Sequence, residues 1–371
     1  MIDTILYGDC RETLKTVTNS SVQMCVTSPP YYGLRDYGTG TWIGGDSKCN
    51  HMRDTKVNPS NCITGHKNHD KMAGVGDAIY KTKCPKCGAI REDSQIGLEQ
   101  TPEEYIDQLV QVFREVHRVL KDDGTLWVNI GDSYYNYRSG KGQALPKQTV
   151  SKTNQDLPQV NPKRGNKLDG LKEKDLIGIP WMLAFALRKD GWYLRQDIIW
   201  HKPNPMPESV RDRCTKSHEY IFLLSKNRSY YYNHEAIKEP VKQDWGTRNR
   251  DNGKYHKAGT GLSPHTGLTK SYTTKNKRSV WSVTNRPYKQ AHFATFPPDL
   301  ILPPILAGSR EGDIVLDPFM GSGTTAMVAV QNKRHYIGCE LNEDYGELID
   351  SRMPIEILSQ RVDNPLTQAL Y

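Results

Sequence analysis

No stretch of the 371 residues is apolar for long enough to span a bilayer as a helix, and no charged leader runs into an apolar segment. A helical membrane protein is thereby excluded, no membrane partner is expected, and the default expectation is a cytoplasmic protein. Paired cysteines are lacking as well. The eight cysteines are scattered, apart from Cys84 and Cys87, which argues against a disulfide framework and for reduced thiols with one metal site. No large excess of one charge is present either, since the net charge is only +8. What remains is a chain with 36% hydrophobic and 25% charged residues, long enough for one large domain with insertions or for two domains.

Two separated stretches carry the chemistry. Val22 to Thr27 reads as a buried strand that stops at Ser28-Pro29-Pro30-Tyr31-Tyr32. Two prolines offer no N–H and hold φ near -65°, so the loop is a stiff ledge of carbonyl acceptors beside a small hydroxyl and an aromatic face. Such a ledge at a strand's carboxyl end suits a planar base carrying an amino group. Taken alone, the motif is equally a rigid turn. The second stretch, Asp313 to Asp317, is another buried strand that enters Pro318-Phe319-Met320-Gly321-Ser322-Gly323-Thr324-Thr325 and then a helix over Ala326 to Asn332. Glycines there let the backbone approach a ligand at a helix N-terminus. The next strand, Arg334 to Cys339, ends in Glu340, about 20 residues on, the spacing at which an acid meets ribose hydroxyls in a nucleotide-type βαβ unit.

From Leu6-Tyr7-Gly8-Asp9 to Glu340 the chain resembles the β class of amino-group DNA methyltransferases, in which Ser/Asp/Asn-Pro-Pro-aromatic is catalytic and Asp-Pro-Phe-x-Gly-Ser-Gly-Thr-Thr binds S-adenosylmethionine. The catalytic motif precedes the cofactor motif here, the permuted order of that class. The resemblance implies a Rossmann-like α/β methyltransferase fold, circularly permuted. It also implies a catalytic set of Ser28, Pro29, Pro30 and Tyr31, and a cofactor set of Asp9, Phe296, Asp317, Phe319, Gly321, Gly323, Thr324 and Glu340. Asp9 would meet an adenine or ribose edge, or else serve a strand-end turn. Phe296 and Pro297 would lie against the methionine end of the cofactor, or else form a packed helix start. Double-stranded DNA is the implied partner, together with a cognate restriction endonuclease, in a bacterial or phage-infected bacterial cell.

Residues 1–40, 95–226 and 290–353 are expected to form this methyltransferase domain. Residues 41–94 have little hydrophobic periodicity but contain Cys84-Pro-Lys-Cys87-Gly88, a zinc-knuckle form. Cys49 and His51 would complete a structural Cys3His zinc site, with Cys62, His66 or His69 as substitutes, or else these are unliganded loop residues. Two windows are basic: Tyr137 to Lys174 at net +6 and Lys226 to Lys289 at net +10, leaving -8 for the rest. Charge concentrated in insertions is the footprint of a polyanion-binding surface, or of solvated lysine-rich loops. Residues 137–175 are expected to be a basic flexible loop. In residues 227–289 tyrosines and tryptophans such as Trp245, Tyr255 and Trp281 interleave with Arg248, Arg250, Lys257 and Arg278, so target recognition is expected there, with a small aromatic subdomain of basic exterior as the other reading.

The remaining elements follow from local signals. Thr101-Pro102-Glu103-Glu104 starts a helix with a capping box, ended by Asp122-Asp123-Gly124. A strand over Thr125 to Ile130 precedes Gly131-Asp132, where Asp132 either faces the pocket or caps the next segment. A helix follows at Ile179 to Arg188, then strands at Tyr193 to Trp200 and His218 to Leu224. Helices alternating with strands imply a mostly parallel sheet covered on both faces. Arg35, in the glycine-punctuated loop after the diproline motif, would meet a phosphate or pair with Asp36.

Methyl transfer from a sulfonium is an in-line displacement, so alignment and stabilisation of developing charge are the main tasks. The Ser28 hydroxyl and Pro29 carbonyl would accept from the amino group, and Tyr31 would stack on a base swung out of the duplex. No Cys occupies the diproline loop, so covalent attack of the kind used on ring carbon is not suggested. Ser28 points to cytosine N4, since adenine-N6 members more often carry Asp or Asn there. Adenine N6, an RNA substrate, and a catalytically idle zinc-containing nucleic-acid-binding protein are the alternatives.

Overall fold

The structure is a computed structural model that describes residues 2–33, 39–51, 80, 83–135, 168–241, 273–285 and 296–353. Arg35, Asp36, Cys62, His66, His69, most of the expected basic loop, and Trp245, Arg248, Arg250, Tyr255 and Lys257 lie outside the described residues. In chain order the elements are β1 (Thr4–Tyr7), α1 (Cys10–Thr13), β2 (Val22–Thr27), β3 (Thr41–Ile43), β4 (Ile90–Glu92), α2 (Pro102–Val119), β5 (Leu120–Ile130), α3 (Ile179–Lys189), β6 (Tyr193–His201), β7 (His218–Ser225), β8 (Glu239–Pro240), β9 (Thr274–Lys275), β10 (Val280–Ser282), α4 (Pro298–Gly308), β11 (Ile314–Asp317), α5 (Thr324–Gln331), β12 (His335–Glu340) and α6 (Tyr345–Asp350).

Eight strands form one sheet in the order β1-β12-β11-β2-β5-β7-β6-β10. Every neighbouring pair is parallel except β5 with β7 and β7 with β6. The expected mostly parallel, helix-covered sheet is therefore present. Strand alternation explains how both faces are filled. From β5, Leu126, Val128 and Ile130 join α2 and α3 in one core, with Tyr105, Leu109, Phe113, Leu183 and Leu187. Trp127, together with Met24 and Val26 of β2, enters the opposite core with Leu300, Ile301 and Ile305 of α4 and Ala326 and Ala329 of α5.

The capping box at α2 is formed in both directions: Glu104 N donates to Thr101 Oγ1 at 3.2 Å and Thr101 N to Glu104 Oε2 at 3.2 Å. Two local expectations need correction. First, α2 ends at Val119, and Asp122-Asp123-Gly124 belong to β5 and do not stop the helix. Residues after β7 hold this segment extended: Lys226 Nζ donates to Leu120 O, Asn227 Nδ2 to Asp122 O and Tyr231 N to Asp123 O, at 2.7–2.9 Å. Second, among the described residues no helix lies between β6 and β7. An antiparallel pair needs no crossover, so residues 202–217 connect them as a loop. Residues 39–51 and 83–94 contain an unexpected element, the antiparallel hairpin β3/β4.

Candidate active site and metal cluster

Strands β2 and β11 are parallel neighbours, with Met24 opposite Val315 and Cys25 opposite Leu316, so the loops that follow them emerge at one edge. From this pair the chain proceeds in opposite directions across the sheet, β2 toward β5 and β11 toward β12. Their carboxyl ends therefore flank a topological switch point, the place where open α/β sheets bind ligands. A direct hydrogen bond ties the two loops: Thr27 Oγ1, just before Ser28, donates to Asp317 Oδ1 at 2.5 Å.

Asp317 is buried and spends its carboxylate on protein donors. Besides Thr27, Phe319 N donates to Oδ1 at 3.0 Å and Thr325 Oγ1 to Oδ2 at 2.6 Å. Burial pushes its pKa from 3.8 up to about 6, against the pull of these donors. Glu340, at the end of the adjacent strand, accepts from Gly321 N at 2.8 Å through Oε2 and from Asn342 N at 2.9 Å through Oε1. Desolvation also raises its pKa. A carboxylate has about four acceptor sites, so two bonds leave it able to take ligand hydroxyls. The loop turns into α5 through Gly323 at φ +78°, a left-handed backbone that favours glycine. Arg352, past α6, fastens the same turn by donating to Ser322 O at 2.8 Å, Ser322 Oγ at 2.7 Å and Thr324 Oγ1 at 3.1 Å.

The remaining cofactor-set residues have other neighbours. Phe319 packs on the α2/α3 core and Phe296 on the α4/α5 core. Asp9 caps α1 through Arg11 N at 2.9 Å and pairs with the Arg11 guanidinium at 2.5 Å, in keeping with a strand-end turn.

The diproline loop is held from outside. Tyr105 Oη, on α2, donates to Pro30 O at 2.8 Å, and Gly33 N donates to Gly97 O at 2.8 Å. Tyr32 Oη reaches Gln100 O at 3.0 Å. Tyr31 lies across the end of β5, where a Cβ on Gly131 would stand 2.5 Å from its ring, so no larger residue fits there. Its hydroxyl donates to Glu219 Oε2 of β7 at 2.7 Å, and Asn129 Nδ2 donates to the same oxygen at 3.2 Å. Glu219 is paired on its other oxygen with Lys202. Burial, followed by the Glu219 charge, pushes the Tyr31 phenol well above its ordinary range, so Tyr31 stays a donor.

Sequence reasoning named Ser28, Pro29, Pro30 and Tyr31 but missed Tyr105, Asn129, Lys202, Glu219 and Arg352. Asn129 alone left a signal, a polar residue inside the apolar run Leu126 to Ile130. Asp132 resolves as a cap at long range: Oδ1 accepts from Gly178 N at 3.0 Å and Ile179 N at 3.1 Å, at the start of α3.

A second cluster sits at the β3/β4 hairpin. Ligand atoms of Cys49, His51, Cys84 and Cys87 all lie within 4.8 Å of one another. Cys49 Sγ is 3.8 Å from Cys84 Sγ, and Cys87 Sγ is 3.5 Å from His51 Nδ1. Tetrahedral zinc with ordinary bond lengths sets these edges at ~3.8 Å and ~3.5 Å. Backbone amides of Ala89 and Asp46 hold the Cys87 thiol below its ordinary range, which favours a thiolate ligand. The His51 ring stacks on Trp42 of β3 at 4.3 Å.

A family model described as DNA methylase, N6_N4_Mtase, matches residues 22–351. The chain belongs to the N6/N4 DNA methylase family. Among curated proteins it is similar to the type II methyltransferase M.SmaI of Serratia marcescens, 41% identical over 94% of this chain and 90% of the relative. It is likewise similar to the type II methyltransferase M.Cfr9I of Citrobacter freundii, 39% identical over 94% and 87%. A solved PvuII DNA methyltransferase (cytosine-N4-specific) shares the fold, with a TM-score of 0.54, 14% identity and coverage of 97% of this chain and 91% of that one. The protein is a type II DNA methyltransferase of the N4/N6 family, as the resemblance at the two loops implied. No helix among the described residues is long and apolar enough to cross a membrane.

Proposed function

We propose that this methyltransferase transfers the methyl group of S-adenosylmethionine to the exocyclic N4 of a cytosine swung out of duplex DNA. The observation that carries the reading is the Thr27–Asp317 hydrogen bond, which fixes the diproline loop and the glycine loop side by side at one strand edge. Glu340, the Gly321–Thr324 turn and the start of α5 fit a nucleotide-like cofactor: a half-buried carboxylate with spare lone pairs beside a bend that lets a ligand approach. When bound, the cofactor supplies the electrophilic methyl group. Ser28 and the Pro29 carbonyl accept from the amino group as its lone pair leaves the ring, and Tyr31, held by Glu219, presents a fixed aromatic ring for the base.

Ser28 as first motif residue supports cytosine over adenine. Duplex DNA incubated with the protein and labelled cofactor, then digested to nucleosides, should yield N4-methylcytosine. N6-methyladenine without N4-methylcytosine overturns the base assignment, and competition by structured RNA but not duplex DNA would overturn the substrate. Absence of cofactor binding at high micromolar concentration in a titration would favour an idle binding protein. The type II names of the relatives support a cognate restriction endonuclease reading the same site.

We also infer that Cys49, His51, Cys84 and Cys87 hold a structural zinc ion. Four protein ligands leave no open position for catalysis, so the metal's work is to fasten the β3/β4 hairpin. Elemental analysis of the purified protein should find one zinc per chain, and a protein free of zinc yet fully active would remove this assignment.

A further inference from the structure

Residues 202–217, joining β6 to β7, rise from the same sheet edge as the diproline loop. Both feet of this loop stand on site residues. Lys202 pairs with Glu219, which also holds Tyr31, and Lys216 Nζ donates to Asp132 O at 3.0 Å. Its flanks are braced too. Arg213 lies 3.9 Å over the Tyr134 ring and bonds Glu208 at 2.6 Å, and Asn204 Oδ1 accepts from Asn285 N at 3.2 Å.

Next to the first foot of this braced loop is Pro203-Asn204-Pro205-Met206-Pro207. Met206 is 82% exposed, the most exposed large hydrophobic among the described residues, and Val210 beside it is 40% exposed. Single apolar residues on a surface need no explanation by themselves. Here the context is specific. Three alternating prolines fix their own φ and bias the residues before them to extended backbone, so the main chain that carries Met206 is stiff. Four residues span at most ~14 Å, so Met206 lies within that reach of Lys202, which pairs with the Glu219 that holds Tyr31. The loop as a whole carries four basic and two acidic residues, a balance that tolerates phosphates nearby.

The reaction supplies the need for such a residue. A base that leaves the duplex breaks two stacking contacts and leaves a gap, and unbranched apolar side chains such as Met fill gaps of this kind in DNA bent or opened by proteins. We propose that Met206 enters the base stack of the duplex where the target base has swung out, holding the opened state while methyl transfer proceeds. This rests on the methyltransferase reading above, and its partner is the duplex flanking the target.

The test compares Met206→Ala and Met206→Leu with the wild type on two duplexes carrying the recognition site, identified beforehand by sequencing modified bases in DNA from expressing cells. In one the target base is properly paired, and in the other it faces an abasic position, so that opening is already cheap. Met206→Ala should lose about 10-fold in kcat/KM on the paired duplex, the scale of about one stacking contact, and less than about 3-fold on the abasic one. Met206→Leu should restore most of the loss on the paired duplex, and cofactor affinity and thermal midpoint should not move. Equal losses on both duplexes, or none on either, overturn the wedge. Absence of any modified base in DNA from the expressing cells would instead overturn the functional reading on which the wedge stands.

Discussion

The two loops that meet at the β2/β11 crevice are held by opposite means. The glycine loop is fastened first by its own backbone amides, which donate from Phe319 and Gly321 to the acids that end β11 and β12, with Arg352 as its one brace from outside named above. The diproline loop has no amides to give at Pro29 and Pro30, so distant side chains fasten it: Tyr105 to the Pro30 carbonyl, and Glu219 and Asn129 around Tyr31. On the function proposed above, a loop that must bend close to a cofactor uses glycine and pays with entropy that local carboxylates recover. A loop that must offer bare acceptors uses proline and borrows its rigidity from α2, β5 and β7. Asp317 is the joint between the two systems.

That comparison breaks first at Asp317. Asp317→Ala deprives Thr27, Thr325 and Phe319 N of their acceptor in a buried place, so stability should fall by about 4 kcal/mol and both loops should loosen together. Urea unfolding measures the first effect, and cofactor titration with single-turnover methylation the second. Loss of only one function would show that the loops are not joined there.

The same carboxylate gives a pH signature. Its folded pKa of about 6 lies above the ordinary 3.8, so between those values the folded state binds more protons than the unfolded one. Stability from this group is therefore present at low pH and is lost as pH rises through about 6. Asp317→Asn has no such titration. The wild type should gain about 2 kcal/mol relative to that variant on going from pH 7 to pH 4.5, and a pH-independent difference would show that the group titrates normally.

Local signals made one half of this arrangement legible. Strand, glycine turn, helix, strand and terminal acid are consecutive in sequence, and Glu340 falls where the βαβ spacing puts it, 19 residues after Gly321. The Thr101 capping box and the Cys84/Cys87 knuckle are similarly short-range. Asp317 shows the limit even there: its place in the motif was plain, but that one of its oxygens turns toward Thr27 depends on pairing 290 residues apart. The clamp on the diproline loop could not be read at all. Glu219 meets Tyr31 only because β7 runs antiparallel to β5, placing Tyr220 opposite Ile130, and nothing local in His218 to Ser225 announces that register. The β3/β4 hairpin is three residues per strand with four of its six side chains exposed, too short for a periodic signal.

Glu340 sharpens the contrast on the glycine side. Glu340→Gln keeps an acceptor for Gly321 N but loses the charge, so cofactor affinity should fall about 10-fold. The opposite loop should be spared, leaving turnover at saturating cofactor close to wild type. A drop in that turnover as large as the drop in affinity would mean that Glu340 also governs the placement of the base.

The smallest expected effect tests the diproline side by itself. Tyr105→Phe removes one hydroxyl and one hydrogen bond, to the Pro30 carbonyl, while the ring keeps its place in the α2/α3 core beside Tyr32. Stability should fall by about 1 kcal/mol. Cofactor affinity should stay unchanged, because the lost bond is to the diproline loop, whereas turnover at saturating cofactor should fall, because a freed Pro30 carbonyl lets the ledge next to Ser28 shift. Measuring the dissociation constant and single-turnover rate of the same preparation separates these. If affinity fell in step with rate, borrowed rigidity would not be confined to the diproline loop, and the two loops would have to be treated as one mechanical unit and not as two joined at Asp317.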